Sequence, residues 1–260
     1  LPTTSNNGIS GTWSPPLNNT VTTTYTFTPN EGQCATTTTH TITIATPLTS
    51  SPISFVAAPA PVAALPSVTI GTQVWTNKNL DVNTYRDGTP IPQVTDPTAW
   101  AGLTTGAWCY YNNDPANGAI YGKLYNWYAV AGIHDNDPDT PNKILAPIGW
   151  HVPSDGEWTT LTDYLGGLSL AAGKMKEAGT AHWTSPNAGA TNSSGFTGLP
   201  GGYRYDTGTF TCIALCSNWW SSSENDSANS WDRSMNCGGV DAYSYPDGKG
   251  FGFVVRCLRD

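Results

Sequence analysis

Ten consecutive residues, Gly149-Trp150-His151-Val152-Pro153-Ser154-Asp155-Gly156-Glu157-Trp158, constrain the fold of this chain more than any others. Two tryptophans bracket an extended run, Val152-Pro153, that passes directly into a helix start. Ser154 is a helix-capping residue, and Glu157 three positions later completes a capping box by reaching back to the Ser154 N–H. The helix then presents Trp158, Leu161 and Leu165 on one stripe before Gly166-Gly167 ends it. A strand that feeds a capped amphipathic helix calls for a core built from both kinds of element.

Composition sets the class. At 260 residues the chain suffices for one large domain or two. Only 12% of residues are charged, while Thr, Ser, Asn, Gly and aromatics are plentiful, which suits a β-rich, loop-rich extracellular protein. A formal net charge of −8 argues against nucleic acid as a partner, because nothing here replaces phosphate counterions. No run of 18 apolar residues exists, so no transmembrane segment is expected. Without an initiator Met or a signal-peptide pattern, the chain reads as a processed or trimmed piece of a longer protein. Its six cysteines (Cys34, Cys109, Cys212, Cys216, Cys237, Cys257) show no C-x-x-C pair and no zinc-like His spacing, so disulfides lead over metal binding.

Residues 1–45 differ from the rest. Val21 to Thr28 alternates as a half-buried strand with Val21, Tyr25 and Phe27 on one face, and Thr39 to Ile44 makes a second strand with Ile42 and Ile44 inward. Two or three strands do not bury a core by themselves. Residues 46–66 are rich in proline and read as a semi-rigid connector, with an edge strand from Ile53 to Val56 as the alternative. Residues 67–260 form the main domain. Val68 to Trp75 reads as a hairpin with a Gly turn. Tyr121 to Ile133 is an expected helix with Leu124, Trp127, Tyr128 and Ala131 on one face, and Lys174 to Ala178 an expected helical turn. From Gly195 onward the chain is short strands and Gly/Asn/Asp turns.

Two resemblances sharpen this picture. Residues 1–45, with Gly11-Thr12-Trp13-Ser14-Pro15 and Cys34, resemble the C-terminal half of a tandem Ig-like repeat found in giant surface adhesins of gliding Bacteroidetes. In such repeats an upstream cysteine would partner Cys34, so the chain is expected to begin inside a repeat. The Gly149–Trp158 segment resembles a motif of the formylglycine-generating-enzyme and sulfatase-modifying-factor superfamily. Six other motifs join it in fixed order: Val74–Leu80, Trp108–Asn113, Tyr121–Trp127, Gly195-Phe196 with Leu199–Arg204, Trp220–Glu224 and Val255-Arg256-Cys257. Together they resemble the Fibrobacter succinogenes major paralogous domain family across essentially all of 67–260. The resemblance implies an α+β, C-type-lectin-like domain, with two helices on twisted, mostly antiparallel strands. It implies no particular activity, since fold does not fix function.

The superfamily's enzymes use a copper-binding cysteine pair, for which Cys212-Ile213-Ala214-Leu215-Cys216 is the nearest match here. Its spacing is one residue shorter than theirs, and a local disulfide or bridges elsewhere explain it more simply. The histidines (His40, His134, His151, His182) are scattered, and none is paired by a motif with a Ser or Cys nucleophile. Asp135, Asp137 and Asp139 alternate like calcium-loop ligands but lack the Gly and closing Glu of an EF-hand; a solvated acidic loop is the plainer reading. The segment Asn218–Tyr245 holds the richest surface. Trp219, Glu224, Asn225, Asn229, Asp232, Arg233, Asn236, Asp241, Tyr243 and Tyr245 are its candidate ligand-binding residues, combining aromatic faces with fixed hydrogen-bonding groups. Trp220 and Trp231 read as core or supporting residues. Cys257 is expected to pair with Cys109 or Cys237.

The expected function is a non-enzymatic adhesin module on a bacterial cell surface. It would be carried on upstream Ig-like repeats of the same chain and would bind a glycan or a surface protein through the late loops, with calcium as the one candidate cofactor. The alternatives are a copper-dependent cysteine oxidase using Cys212 and Cys216, and a structural cap of the repeat stack.

Overall fold

The computed structural model describes residues 1–44 and 65–260, which fall into two compact units. The proposed connector and its alternative edge strand lie outside the described residues, apart from 65 and 66.

In the first unit, β1 (Gly11–Ser14), β2 (Thr23–Pro29) and β3 (Thr38–Ile42) form an antiparallel sheet in that order. Tyr25 and Phe27 are buried on one face, with the Trp13 ring 5.1 Å from Phe27. The Tyr25 hydroxyl accepts from the Asn18 N–H at 2.7 Å and donates to the Asn18 carbonyl at 3.0 Å, which pins the turn before β2. Gly11 is required by space: a Cβ there would sit 2.4 Å from the Thr28 carbonyl oxygen. Val21 does not join the inner face as expected. It precedes β2 and is exposed, because the strand begins only at Thr23. Ile42 and Ile44 are half-buried, and Cys34 is exposed and free.

The second unit opens with the expected hairpin, β4 (Ser67–Ile70) and β5 (Gln73–Thr76), turning at Gly71 with φ 62°. There follow α1 (Pro97–Ala101), β6 (Trp108–Cys109), α2 (Pro115–Tyr121), β7 (Leu124–Tyr125) and α3 (Trp127–Ala131). The helix expected over 121–133 is thus three pieces. Gly122, at φ 78° and ψ −160°, ends α2, and Leu124-Tyr125 then pair with β6. Asn126 restarts a helix by accepting from the Ala129 N–H at 3.0 Å. Apolar residues at helical spacing were here divided between a strand and a short helix.

The Gly149–Trp158 segment folds as read. β8 (Trp150–His151) leads into α4 (Asp155–Tyr164), whose capping box has both halves formed, and Trp158, Leu161 and Leu165 are buried. The turn expected at 174–178 is displaced, since α5 (Leu168–Met175) ends there instead. Lys176 leaves the helix because its buried ammonium donates to the carbonyls of Ala188, Asn236 and Gly239 at 3.0, 3.0 and 2.7 Å.

The remainder is β9 (Gly201–Arg204), β10 (Phe210–Ile213), β11 (Cys216–Glu224), β12 (Asn229–Asn236), β13 (Ala242–Gly248) and β14 (Leu258–Arg259). The main sheet has the order β10-β9-β11-β12-β13, with β9 and β11 parallel and the other pairs antiparallel. A second sheet, β4-β5-β14-β8, joins the beginning of the unit to its end. The architecture is α+β. One hydrophobic cluster packs α4 and α5 against Trp219, Met235 and Ala242, and another gathers Trp127, Trp150, Trp220 and Phe253.

Candidate functional site

Strand alternation divides the main sheet into two faces. In the register of β11–β13, Asn218, Ser234 and Tyr243 lie abreast, as do Trp220, Asp232 and Tyr245. These residues point away from α4 and α5, while Trp219, Arg233, Met235 and Ala242 point toward them. Because β9 and β13 flank the central pair, the outward face forms a trough, with a groove of about 580 Å3.

One wall is Tyr243 and Tyr245, with ring planes 9° from parallel and centroids 5.7 Å apart. The other is Tyr203 and Tyr205, packed edge to face at 5.1 Å and backed by Phe251. Asn218, Ser234 and Asn236 supply polar groups between the walls, and Asp247 adds a carboxylate. Burial raises the Asp247 pKa. The Tyr203 phenol is also raised, first by burial, then by its bond to Tyr205 and by the charge of Asp247.

Asp232 lies on the same face. It is 0% exposed, and its Oδ2 accepts from Asn218 Nδ2 at 2.7 Å, while its Oδ1 has no hydrogen-bond partner. Asp247 is its diagonal neighbour across β13, since Asp232 faces Tyr245 and Ser230 faces Asp247. Burial, then the Asp247 charge, push the Asp232 carboxyl up to about 8. An orphaned acceptor under a polar groove marks a place that water or a ligand donor completes.

The ten candidate ligand residues separate accordingly. Tyr243 and Tyr245 form a wall, Tyr245 being 47% exposed, and Asn236 lines the groove. Asp232 lies beneath it. Trp219 is not a ligand residue: it is 0% exposed, its ring 5.9 Å from Phe196, because it alternates onto the helix face. Arg233 shares that face, and its Nη1 donates to Asp155 Oδ1 at 2.5 Å and Ser244 Oγ at 2.7 Å, tying the sheet to the start of α4. Glu224 is ion-paired with Lys249, away from the groove. Asn225 and Asn229 belong to the β11–β12 turn, organised by Asp226, whose carboxylate accepts from the Ala228 and Asn229 N–H groups at 2.8 and 2.9 Å. Asp241 is half-buried just before β13. Sequence reasoning missed Tyr203, Tyr205, Asn218, Ser234, Asp247 and Phe251. The alternation of β11 and β12 signalled Asn218 and Ser234; nothing local signalled that β9 lies beside β11.

The acidic loop Asp135–Asp139 is organised by its own side chains. Asp135 Oδ1 accepts from the Asp137 N–H at 3.1 Å, and Asp137 Oδ1 from the Asp139 N–H at 3.0 Å. Among the described residues no three His, Cys, Asp or Glu side chains converge as a metal-binding group. Cys212 and Cys216 are bonded to each other. Cys257 pairs with neither Cys109 nor Cys237, contrary to expectation; all three thiols are free. Burial holds Cys109 and Cys257 up at about 12, so both stay protonated and unreactive.

A third polar cluster governs pH behaviour. His151 is held between Asp260, 2.8 Å from Nδ1, and Glu157, 3.0 Å from Nε2. Burial pulls the imidazole pKa down, but the bonds to Asp260 and Glu157 outweigh it and the net shift is upward. A histidine raised on folding contributes fully below its unfolded value near 6.5 and loses that contribution as pH rises through the folded value. Asp232 acts in the same direction, its contribution being lost as pH climbs from 3.8 to about 8. We therefore expect urea midpoints to fall between about pH 6 and pH 9, and His151→Gln to flatten the histidine portion of that slope. A profile that rises over this window in both proteins would contradict the assignment.

The fold and groove thus describe an α+β domain with an aromatic-walled polar groove on the open face of its main sheet. Residues 68–259 match the Fibrobacter succinogenes major domain, and the chain belongs to that family. No curated protein and no solved structure matches the chain significantly.

Proposed function

We propose that this chain is an extracellular adhesin module whose 67–260 unit is a C-type-lectin-like domain that binds a glycan in the groove of the main sheet. The observation that carries the reading is the pairing of two tyrosine walls with a polar floor on one open face. Flat aromatic faces take the apolar side of a sugar ring, and fixed amides, hydroxyls and carboxylates take its rim. The β4-β5-β14-β8 sheet, which brings the start and end of the unit together at its base, supports a lectin-like arrangement that leaves the late strands free for ligand. The three-stranded first unit, with exposed Cys34, supports the reading of an Ig-like repeat that carries the domain at a bacterial surface. The oxidase alternative needs Cys212 and Cys216 as free thiols at a cleft, and here each is the other's partner.

The test is a glycan array probed with the full chain, with and without calcium, alongside Tyr243→Ala and Tyr245→Ala. Truncating either wall residue is expected to weaken binding about tenfold or more, roughly 1.4 kcal/mol. Binding that both substitutions leave unchanged would place the ligand elsewhere. Uniform failure of the unmutated chain to bind would remove the glycan reading.

A further inference from the structure

The groove carries an unbalanced charge. Its lining residues include Asp247 and no Lys or Arg. The cations on and beside these strands are engaged elsewhere, Arg204 of β9 with the carbonyls of Gly208, Val94 and Thr95, and Lys176 with those of Ala188, Asn236 and Gly239. Lys249 pairs with Glu224 and sits 5.0 Å over the Trp127 ring, and Arg233 projects from the opposite face of β12 into Asp155. Among the described residues no ion pair involves Asp247. Behind it, Asp232 is fully buried with one carboxylate oxygen unpartnered, and its other oxygen is fixed by Asn218, itself a groove residue. Two carboxyl groups on adjacent strands with no cation between them disfavour each other's ionised form, and an incoming positive charge relieves both. The tyrosine walls add to this preference, because ring faces attract cations. Burial raises Asp247, and burial followed by the Asp247 charge raises Asp232, which agrees with a site short of one positive charge.

We propose that the ligand of this groove is a cationic sugar, a free-amine hexosamine unit of a glycan. Its ammonium group faces Asp247, with Asp232 behind, and its ring lies against the tyrosine walls. This rests on the glycan reading above and narrows it. Asn218 Nδ2 is engaged by Asp232 and Asn236 Oδ1 by the Gly238 N–H, but the other amide atoms of this pair and the Ser234 hydroxyl favour a sugar over a lysine side chain, since an alkyl stem offers them no partner. A charge-assisted bond to a partly desolvated carboxylate is the stronger kind, and an N-acetylated sugar forfeits it.

The test is titration calorimetry of the full chain at about pH 6 with four probes: a glucosamine tetramer, its N-acetylated counterpart, a neutral glucose tetramer and a lysine-containing peptide. The free-amine tetramer is expected to bind about tenfold or more tighter than the acetylated and neutral ones. Asp247→Asn is expected to abolish that preference, and Asp232→Asn to reduce it. Asp247 is half-buried at the groove, so its substitution keeps the test decisive if the buried Asp232 variant fails to fold. Equal binding of all three sugars would overturn the cationic inference and leave the glycan reading standing. Binding of no sugar would overturn both, and binding of the peptide alone would do the same while pointing to a protein ligand.

Discussion

Trp158→Ala is expected to destabilise the 67–260 unit by about 3–5 kcal/mol, the range for deleting a buried tryptophan. Trp158 is 0% exposed, with Trp75 at 4.6 Å and Phe196 at 5.9 Å, and Phe196 in turn meets Trp219 at 5.9 Å. The ring therefore connects α4 to the first hairpin and, through Phe196, to the main sheet. Against a total of about 5–15 kcal/mol for a natural domain, such a loss brings the unit close to unfolding. Trp158→Phe separates cavity from polarity. The indole N–H has no hydrogen-bond partner, so the phenyl ring removes an unsatisfied donor as well as some volume. Its cost is expected to be less than half that of alanine. Urea unfolding followed by near-ultraviolet circular dichroism measures both, and a loss below about 1 kcal/mol for Trp158→Ala would mean that the aromatic cluster does not hold the core.

What could be read from the sequence was the chemistry that acts over a few residues. The Ser154–Glu157 capping box, the Trp158-Leu161-Leu165 stripe and the Gly71 hairpin fold as read, because donors, acceptors and apolar spacing all lie within one or two turns. The same reasoning failed over 121–133. The apolar spacing there fits a helix, but Leu124 and Tyr125 find strand partners in Trp108 and Cys109, which no local pattern announces. The site was half legible for a related reason. Trp219 and Trp220 are adjacent, so they face opposite sides of β11, and both end up buried in different clusters. The aromatic character of Trp219 suggested a surface, whereas Trp220 is core as read and the exposed aromatic faces are the tyrosines. Tyr203 joins Tyr243 across a groove only because β9 runs parallel beside β11, a long-range pairing fixed by the whole sheet.

Arg256→Met is expected to cost on the order of 3–5 kcal/mol, comparable to the tryptophan deletion but through hydrogen bonds instead of volume. Arg256 is buried without any acidic partner. Its guanidinium donates to Asn79 Oδ1 at 2.7 Å and to the carbonyls of Thr76, Phe196 and Thr197 at 2.7, 3.0 and 2.9 Å, lying 4.4 Å over the Phe196 ring. One side chain thus joins the end of β5, the 196–197 loop and the segment entering β14. Methionine fills much of the volume but supplies no donor, so buried carbonyl oxygens lose their partners. Asn79 Oδ1 alone keeps a donor, the Trp219 indole N–H at 3.0 Å. Arg256→Lys retains the charge, yet a single ammonium does not reproduce the planar fork that reaches four acceptors, and more than half of the loss is expected to persist. Urea unfolding of the two variants reads the difference. If Arg256→Lys matched the unmutated chain, charge alone would suffice; if Arg256→Met did, the hydrogen bonds would contribute nothing net, and the closure of the unit would rest on the β5–β14 pairing and packing.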